Sequence, residues 1–220
     1  MSPADTPLNL DRILATAEDV IRRFGPARAT VADVARALGV SHAAVYRHVA
    51  TKAELRGSVV SRWLEETMPP LRAIAGVPGP APQRLRRLID ALFTTKRRRA
   101  AEDPELFAAY RTLTTDAKSV VAAHIDELIA LIATIIRSGV DEGSFRAADP
   151  VAAGRAVLFA TFRFHHPAHA AEWADPTIDA EYNDVWQLLM DGLCVASAKS
   201  AATTDNKGSG QKNPKEKKRR

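Results

Sequence analysis

The sequence predicts an all-α protein: an N-terminal three-helix headpiece with a helix-turn-helix, followed by a larger helical body. Three observations carry that prediction. Apolar residues recur at intervals of three and four along most of the chain, and no run reads as a strand. The composition is 46% apolar, rich in alanine and poor in aromatics, which suits packed helices better than a disordered chain. The stretch Thr30 to Lys52 reads as two short helices joined by a tight turn.

Residues 1–8, with Pro3 and Pro7, form a loose arm. Leu10, Ile13, Leu14, Ala17, Val20, Ile21 and Phe24 make an amphipathic helix that Gly25-Pro26 stops. Val31, Val34, Ala35 and Leu38 then fall on one helix face, with Thr30 as N-cap and Asp33 completing a short-armed capping box. Gly39 breaks this helix at a position suited to positive φ. Ser41 caps the next one, whose inward residues are Ala44 or Val45 and Val49. Its other face carries His42, Tyr46, Arg47 and His48, all hydrogen-bonding or cationic. A short apolar helix, a Gly turn and a helix with a polar outer face build the device whose second helix enters the major groove.

Lys52 to Met68 is a fourth helix, with Leu55, Val59, Trp63 and Leu64 inward, ending before Pro69-Pro70. Pro69 to Pro82 reads as a loop and the softest part of the body. Leu85, Leu88, Ile89, Leu92 and Phe93 restart a helix that runs into Lys96-Arg97-Arg98-Arg99, which reads as a solvated helix end. Pro104 to Thr115 is a short helix, Val120 to Ile136 a long central one, and Gly139 to Ala148 a turn region. Asp149-Pro150, N-cap and first helical residue, opens a helix to about Phe164, and Asp175-Pro176 repeats that start before a last helix to about Ala198. The expected total is nine or ten helices. The expected bounds are 1–8 for the arm, 9–54 for the headpiece, 55–198 for the body and 199–220 for a disordered basic tail.

Net charge is +5 but unevenly placed: residues from Ser197 on carry +6, leaving −1 for the rest. The high pI therefore belongs to the tail and does not by itself establish nucleic-acid binding. The lone Cys194 excludes an internal disulfide framework and fits a reducing cytoplasm. Met1 to Asn9 lacks the features of a signal peptide, and the longest near-continuous apolar run, Leu128 to Ile136, is too short to span a bilayer. A soluble, cytoplasmic protein without membrane attachment is expected, nucleoid-associated when bound to DNA.

At Ser41-x-x-x-Val45-Tyr46-x-His48-Val49-x-x-Lys52-x-x-Leu55 the chain resembles the tetracycline-repressor (TetR) family of bacterial transcription regulators. Val49 stands where that family usually has Phe, and the likeness is specific over about the first sixty residues. The resemblance implies a homodimer on a pseudo-palindromic operator, a body that binds a small-molecule effector, and a fourth helix that links body to headpiece. It also implies a four-helix dimer interface from the last two long helices, here with Val185, Leu188, Leu189 and Gly192 among the facing residues.

Tyr46, His48 and Lys52 fit a phosphate clamp, and Arg28 and the Thr30 hydroxyl reach the same backbone. His42, Ala43 and Ala44, next to Ser41, occupy the turn nearest base edges, while Arg47 reads guanine or holds phosphate. Wall candidates for the effector pocket are Trp63, Phe93, Phe107, Tyr110, Phe159, Phe162, Phe164 and His166, although most large apolar residues simply form core. His165, His166 and His169, with Glu172 and Asp175, invite a metal reading, but Pro167 interrupts them and no Cys accompanies them. A His-Pro helix cap accounts for them, and neither metal nor cofactor is expected. No Gly-rich phosphate loop, Cys pair or Ser/His/Asp spacing is present, so no catalytic centre is expected. The rival reading is an architectural or cell-division DNA-binding protein on the same scaffold with no small-molecule inducer.

Overall fold

The computed structural model describes residues 7–28 and 30–195. The expected tail at 199–220 and most of the N-terminal arm lie outside the described residues. Among those described there are eleven α-helices and no strand. They are α1 (Leu10–Phe24), α2 (Val31–Leu38), α3 (His42–Tyr46), α4 (Lys52–Glu65), α5 (Met68–Gly76), α6 (Ala81–Glu102), α7 (Pro104–Asp116), α8 (Lys118–Asp141), α9 (Pro150–Ala160), α10 (Phe162–His165) and α11 (Ile178–Leu193). Single 3-10 segments occupy Pro26–Arg28 and Pro167–Glu172.

Local chemistry sets most of the boundaries. Asn9 caps α1 by accepting from the Arg12 amide, and Gly25, at φ 82°, closes it by donating to the Ile21 carbonyl. Thr30 accepts from the Asp33 amide to start α2, and Gly39 ends it in the left-handed conformation at φ 68°. Asp149 accepts from both the Val151 and Ala152 amides ahead of Pro150, so α9 opens as the sequence predicts. Each such cap contributes about 1 kcal/mol.

Five expectations need correction. Pro69 to Pro82 is not all loop, because Met68–Gly76 is helical with both prolines in its first turn. First-turn amides have no intrahelical acceptor, so proline loses nothing there. Asp175-Pro176 does not cap the last helix. Asp175 instead accepts from the Thr177 amide and hydroxyl, and α11 begins at Ile178 and ends at Leu193. The helix expected to reach Phe164 stops at Ala160, where the Thr161 hydroxyl turns back onto the Val157 and Leu158 carbonyls. The short apolar run at Leu128 lies inside α8, which by length and composition alone is long and apolar enough to cross a membrane. Here Leu128, Ile132 and Ile136 of that helix are buried in the body core. Lastly, Lys96 to Arg99 is not a solvated helix end, since α6 continues to Glu102 and Lys96 is buried.

Two apolar cores result. The first joins Ile13, Ala17 and Ile21 of α1 to Val34 of α2, Val45, and Leu55 and Val59 of α4, and it extends onto Phe107, Tyr110 and Leu113 of α7. The second packs α5, α6, α8, α9 and α11 around Leu88, Leu92, Ile132, Ile136, Leu158 and Trp186. Burial of each such side chain stabilises by about 1.5–3 kcal/mol. The headpiece core thus runs past residue 54 through Leu64 and takes in α7 from the body, so α4 and α7 belong to both halves. Ion pairs brace the same joint: Arg22 of α1 to Asp103 before α7 (2.8 Å), and Arg56 of α4 to Asp116 (3.4 Å).

Candidate functional site

The headpiece presents one polar face, built around α3. Val45 and Val49 are buried against α1 and α2, which fixes the roll of the helix and leaves His42, Ala43, Tyr46, Arg47 and His48 exposed, with Ala44 half-buried. Ser41 caps α3 through its hydroxyl oxygen, accepting from the Ala44 amide at 3.2 Å. Tyr46 is 50% exposed, so its ring is a surface group and not a packed core tyrosine. Arg47 and His48 lie just past the last helical residue of α3, in the turn that leads to α4.

The start of α4 adds a second positive feature. Thr51 accepts from the Glu54 amide, and the Glu54 carboxylate reaches back to the Ala50 amide at 2.7 Å, a reciprocal cap that fixes this terminus. Lys52 is its first helical residue and is exposed, so its ammonium adds to the positive end of the helix dipole. Arg28 is exposed and 3.9 Å from Asp33, leaving it free to swing toward an anion. Thr30 is less available: its hydroxyl donates to the Asp33 carboxylate while accepting from the Asp33 amide. That hydroxyl is committed to the cap, whose hydrogen bond to Thr30 holds the Asp33 carboxyl below its usual range.

The body contains a cavity of about 670 Å³, within the range of small-molecule sites. It lies between α4, α6, α7, α8 and the α10 region. Trp63, Phe162 and His166 line it, whereas Phe93, Phe107, Tyr110 and Phe164 are buried core and Phe159 is on the surface. Apart from Phe162 and His166, the ring-bearing candidates therefore went mostly into packing: Trp63 stacks on Tyr110 at 4.5 Å and meets Phe107 edge-on at 5.7 Å.

Sequence reasoning missed the polar part of this cavity. Lys96, His124, His165 and Arg111 all line it. Burial, with Arg99 nearby, pushes the Lys96 ammonium down to about 8. Burial first, and the Lys96 charge second, push both His124 and His165 down to about 3, so these imidazoles are neutral near pH 7. The three histidines of the expected cluster part company. His165 is buried with Nε2 3.3 Å from the Thr161 hydroxyl, His166 accepts from the Ala168 amide at the start of the 3-10 segment, and His169 pairs with Glu172 at 2.7 Å. No group of His, Cys, Asp or Glu among the described residues is arranged to hold a metal ion.

α4 and α7 each reach both the headpiece core and this cavity: Trp63 and Leu64 of α4 belong to that core and also line the cavity, while α7 turns Phe107 and Leu113 to the core and Ala108 and Thr112 to the cavity. A helix-turn-helix head sharing two helices with a hollow helical body is the build of a regulatory DNA-binding protein. Two family models agree. Residues 13–59 match the N-terminal model described as bacterial regulatory proteins, tetR family, and residues 81–186 match the model described as tetracyclin repressor-like, C-terminal domain. Together they take in more than two thirds of the chain, which belongs to the TetR family of transcriptional regulators.

Among solved structures the chain is similar in fold to SmeT, the repressor of the multidrug efflux pump SmeDEF of Stenotrophomonas maltophilia, at 19% identity and TM-score 0.64, with 87% of this chain and 93% of that one covered. The SmeT–triclosan complex gives 18% identity and TM-score 0.63, over 84% and 91%. The fatty acid degradation regulator FadR of Bacillus halodurans gives 21% identity and TM-score 0.57, over 84% and 100%. No protein of curated function matches the chain.

Proposed function

We propose that this protein is a cytoplasmic, ligand-responsive repressor that binds a pseudo-palindromic DNA operator as a homodimer and releases it when a small molecule fills the body cavity. The observation that carries this reading is the sharing of α4 and α7 between the headpiece core and the cavity wall. A ligand that displaces Trp63 or Thr112 moves helices that also pack against α1 of the headpiece. Packed helices respond by shifting as units, so the headpiece angle changes with the cavity. The Tyr110 hydroxyl, which faces Glu18 of α1, continues the same route, because Tyr110 stacks on the cavity residue Trp63.

In this reading His42, Ala43 and Ala44 approach base edges, Arg47 reads guanine or phosphate, and Tyr46, His48, Lys52 and Arg28 hold the backbone, with Ser41 fixing the helix start. The dimer forms through α9 and α11, where Leu188 is 74% exposed and Phe159 and Val151 also face solvent. Val185, Leu189 and Gly192 flank Leu188 on that side of α11. The cavity weighs against the architectural alternative, which has no use for a lined pocket beside the headpiece. Selection of binding sites from random duplexes tests the proposal. An inverted repeat with half-sites about one helical turn apart, or a multiple of it, is expected. Recovery of no motif, with all duplexes bound equally, overturns it.

A further inference from the structure

We propose that the cavity takes a small amphipathic carboxylate, whose anionic end is held by Lys96 with His124 beside it. This rests on the reading of the cavity as the effector site and names the chemistry of what enters it. No Asp or Glu lines the cavity, whereas Lys96 and Arg111 do, together with His124, His165, His166 and the hydroxyls of Thr112 and Thr115. The apolar part of the lining includes Trp63, Ile125, Leu128 and Phe162.

The treatment of the four consecutive cations on α6 isolates Lys96. Arg97 binds the Asp179 carboxylate and the Trp173 carbonyl, Arg98 lies 3.9 Å from Glu102, and Arg99 binds Glu66 and the Trp63 carbonyl. Lys96 is 5% exposed, and no carboxylate or hydrogen-bond acceptor among the described residues meets its ammonium. The ammonium stands over the face of Trp63, 5.8 Å from the ring centroid. A buried cation without a counter-charge is costly and persists where something outside the resting fold pairs with it. His124 adds a second unmet demand: the residue is 9% exposed and its Nε2 has no partner. In the tautomer with its proton on Nε2, the neutral His124 imidazole donates one hydrogen bond to a carboxylate oxygen while the ammonium supplies the charge. Arg111 is exposed, so the buried polar groups offer one charge beside neutral imidazoles, which suits a monoanion. A phosphate would call for several cations or a bank of backbone amides.

The full-length protein is titrated calorimetrically with three matched pairs, decanoate and decanol, phenylacetate and phenylethanol, naphthoate and naphthylmethanol, with and without the Lys96→Met substitution. At least one acid should bind tenfold or more tightly than its alcohol, and Lys96→Met should erase that preference while leaving the alcohol's affinity unchanged. Alcohols that bind as well as every acid, acids that bind Lys96→Met undiminished, or no acid binding at all would overturn the proposal. Thermal melting guards against a purely structural Lys96. Without ligand, Lys96→Met should melt above the wild type at neutral pH, because the substitution removes a buried uncompensated charge; a lower melting temperature shows a structural lysine and also overturns the assignment. Operator release is scored separately. Lys96-dependent acid binding without release upholds the site but removes the effector reading, whereas release by alcohols in both proteins keeps the regulator and discards the carboxylate.

Discussion

His42 and Lys52 both stand in solvent, but they open different helices, and that assigns them different work. Lys52 adds charge to a helix start that points a dipole outward, so in the proposed complex it would meet phosphate and carry no sequence information. We predict that Lys52→Ala weakens cognate and random DNA by similar factors and flattens the salt slope by about 1.8 in a dimer, both measurable by anisotropy titration against salt. His42→Ala should instead cost about 1–3 kcal/mol of discrimination per base contact and leave random-DNA binding nearly unchanged. Equal losses on both DNAs would turn His42 into another phosphate contact. Lys96 gives a residue-scale prediction about pH. Its folded pKa, about 8, lies below its ordinary 10.5, so between those values the unfolded chain binds more protons than the folded one. Folding stability from this group is therefore lowest below pH 8 and is regained as pH rises to about 10.5. The melting difference between Lys96→Met and wild type should shrink across that window.

At the scale of elements, the headpiece was legible because each of its helices carries its own start and stop: Thr30 and Gly39, then Ser41, in short range of the residues they control. Pro69–Pro82 reads as loop because proline counts as a breaker, although in a first turn it breaks nothing. The polar wall of the cavity is obscured in the sequence for a related reason, since charge suggests exposure where spacing indicates burial. Lys96 continues the inward stripe of Leu85, Leu88, Ile89 and Leu92, and His124 begins that of Leu128 and Ile132, so both lay on buried faces by spacing alone. What spacing does not carry is whether a buried cation finds a partner, because that partner comes from a distant element. Gly139 is a further case where tertiary packing overrides local propensity. A Cβ there would stand 2.2 Å from the buried Phe145 ring and 2.9 Å from the Ala81 methyl. Alanine gains about 1 kcal/mol over glycine in an open helix, but the overpacking costs about 1–3 kcal/mol and more where a buried ring must move. Gly139→Ala is predicted to lower stability in chemical denaturation; a rise would show that the contact between α8, Phe145 and α6 is loose.

For the whole molecule, the dimer and the coupling between cavity and headpiece are separable. Leu188 projects from α11 with most of its surface in water, on the face proposed to meet a second copy. Leu188→Asp should leave circular dichroism unchanged, shift sedimentation from dimer to monomer and abolish tight operator binding; a dimer that survives it moves the interface elsewhere. The coupling is tested by filling the cavity without any ligand. Ile125 lines it from α8, across from the shared helices α4 and α7, so Ile125→Trp pushes on those helices without altering the headpiece itself. Measured by anisotropy on the selected operator, the folded, dimeric Ile125→Trp protein should bind at least tenfold more weakly than wild type while keeping the same salt slope. Wild-type affinity in that protein would contradict the claim that the cavity sets the headpiece.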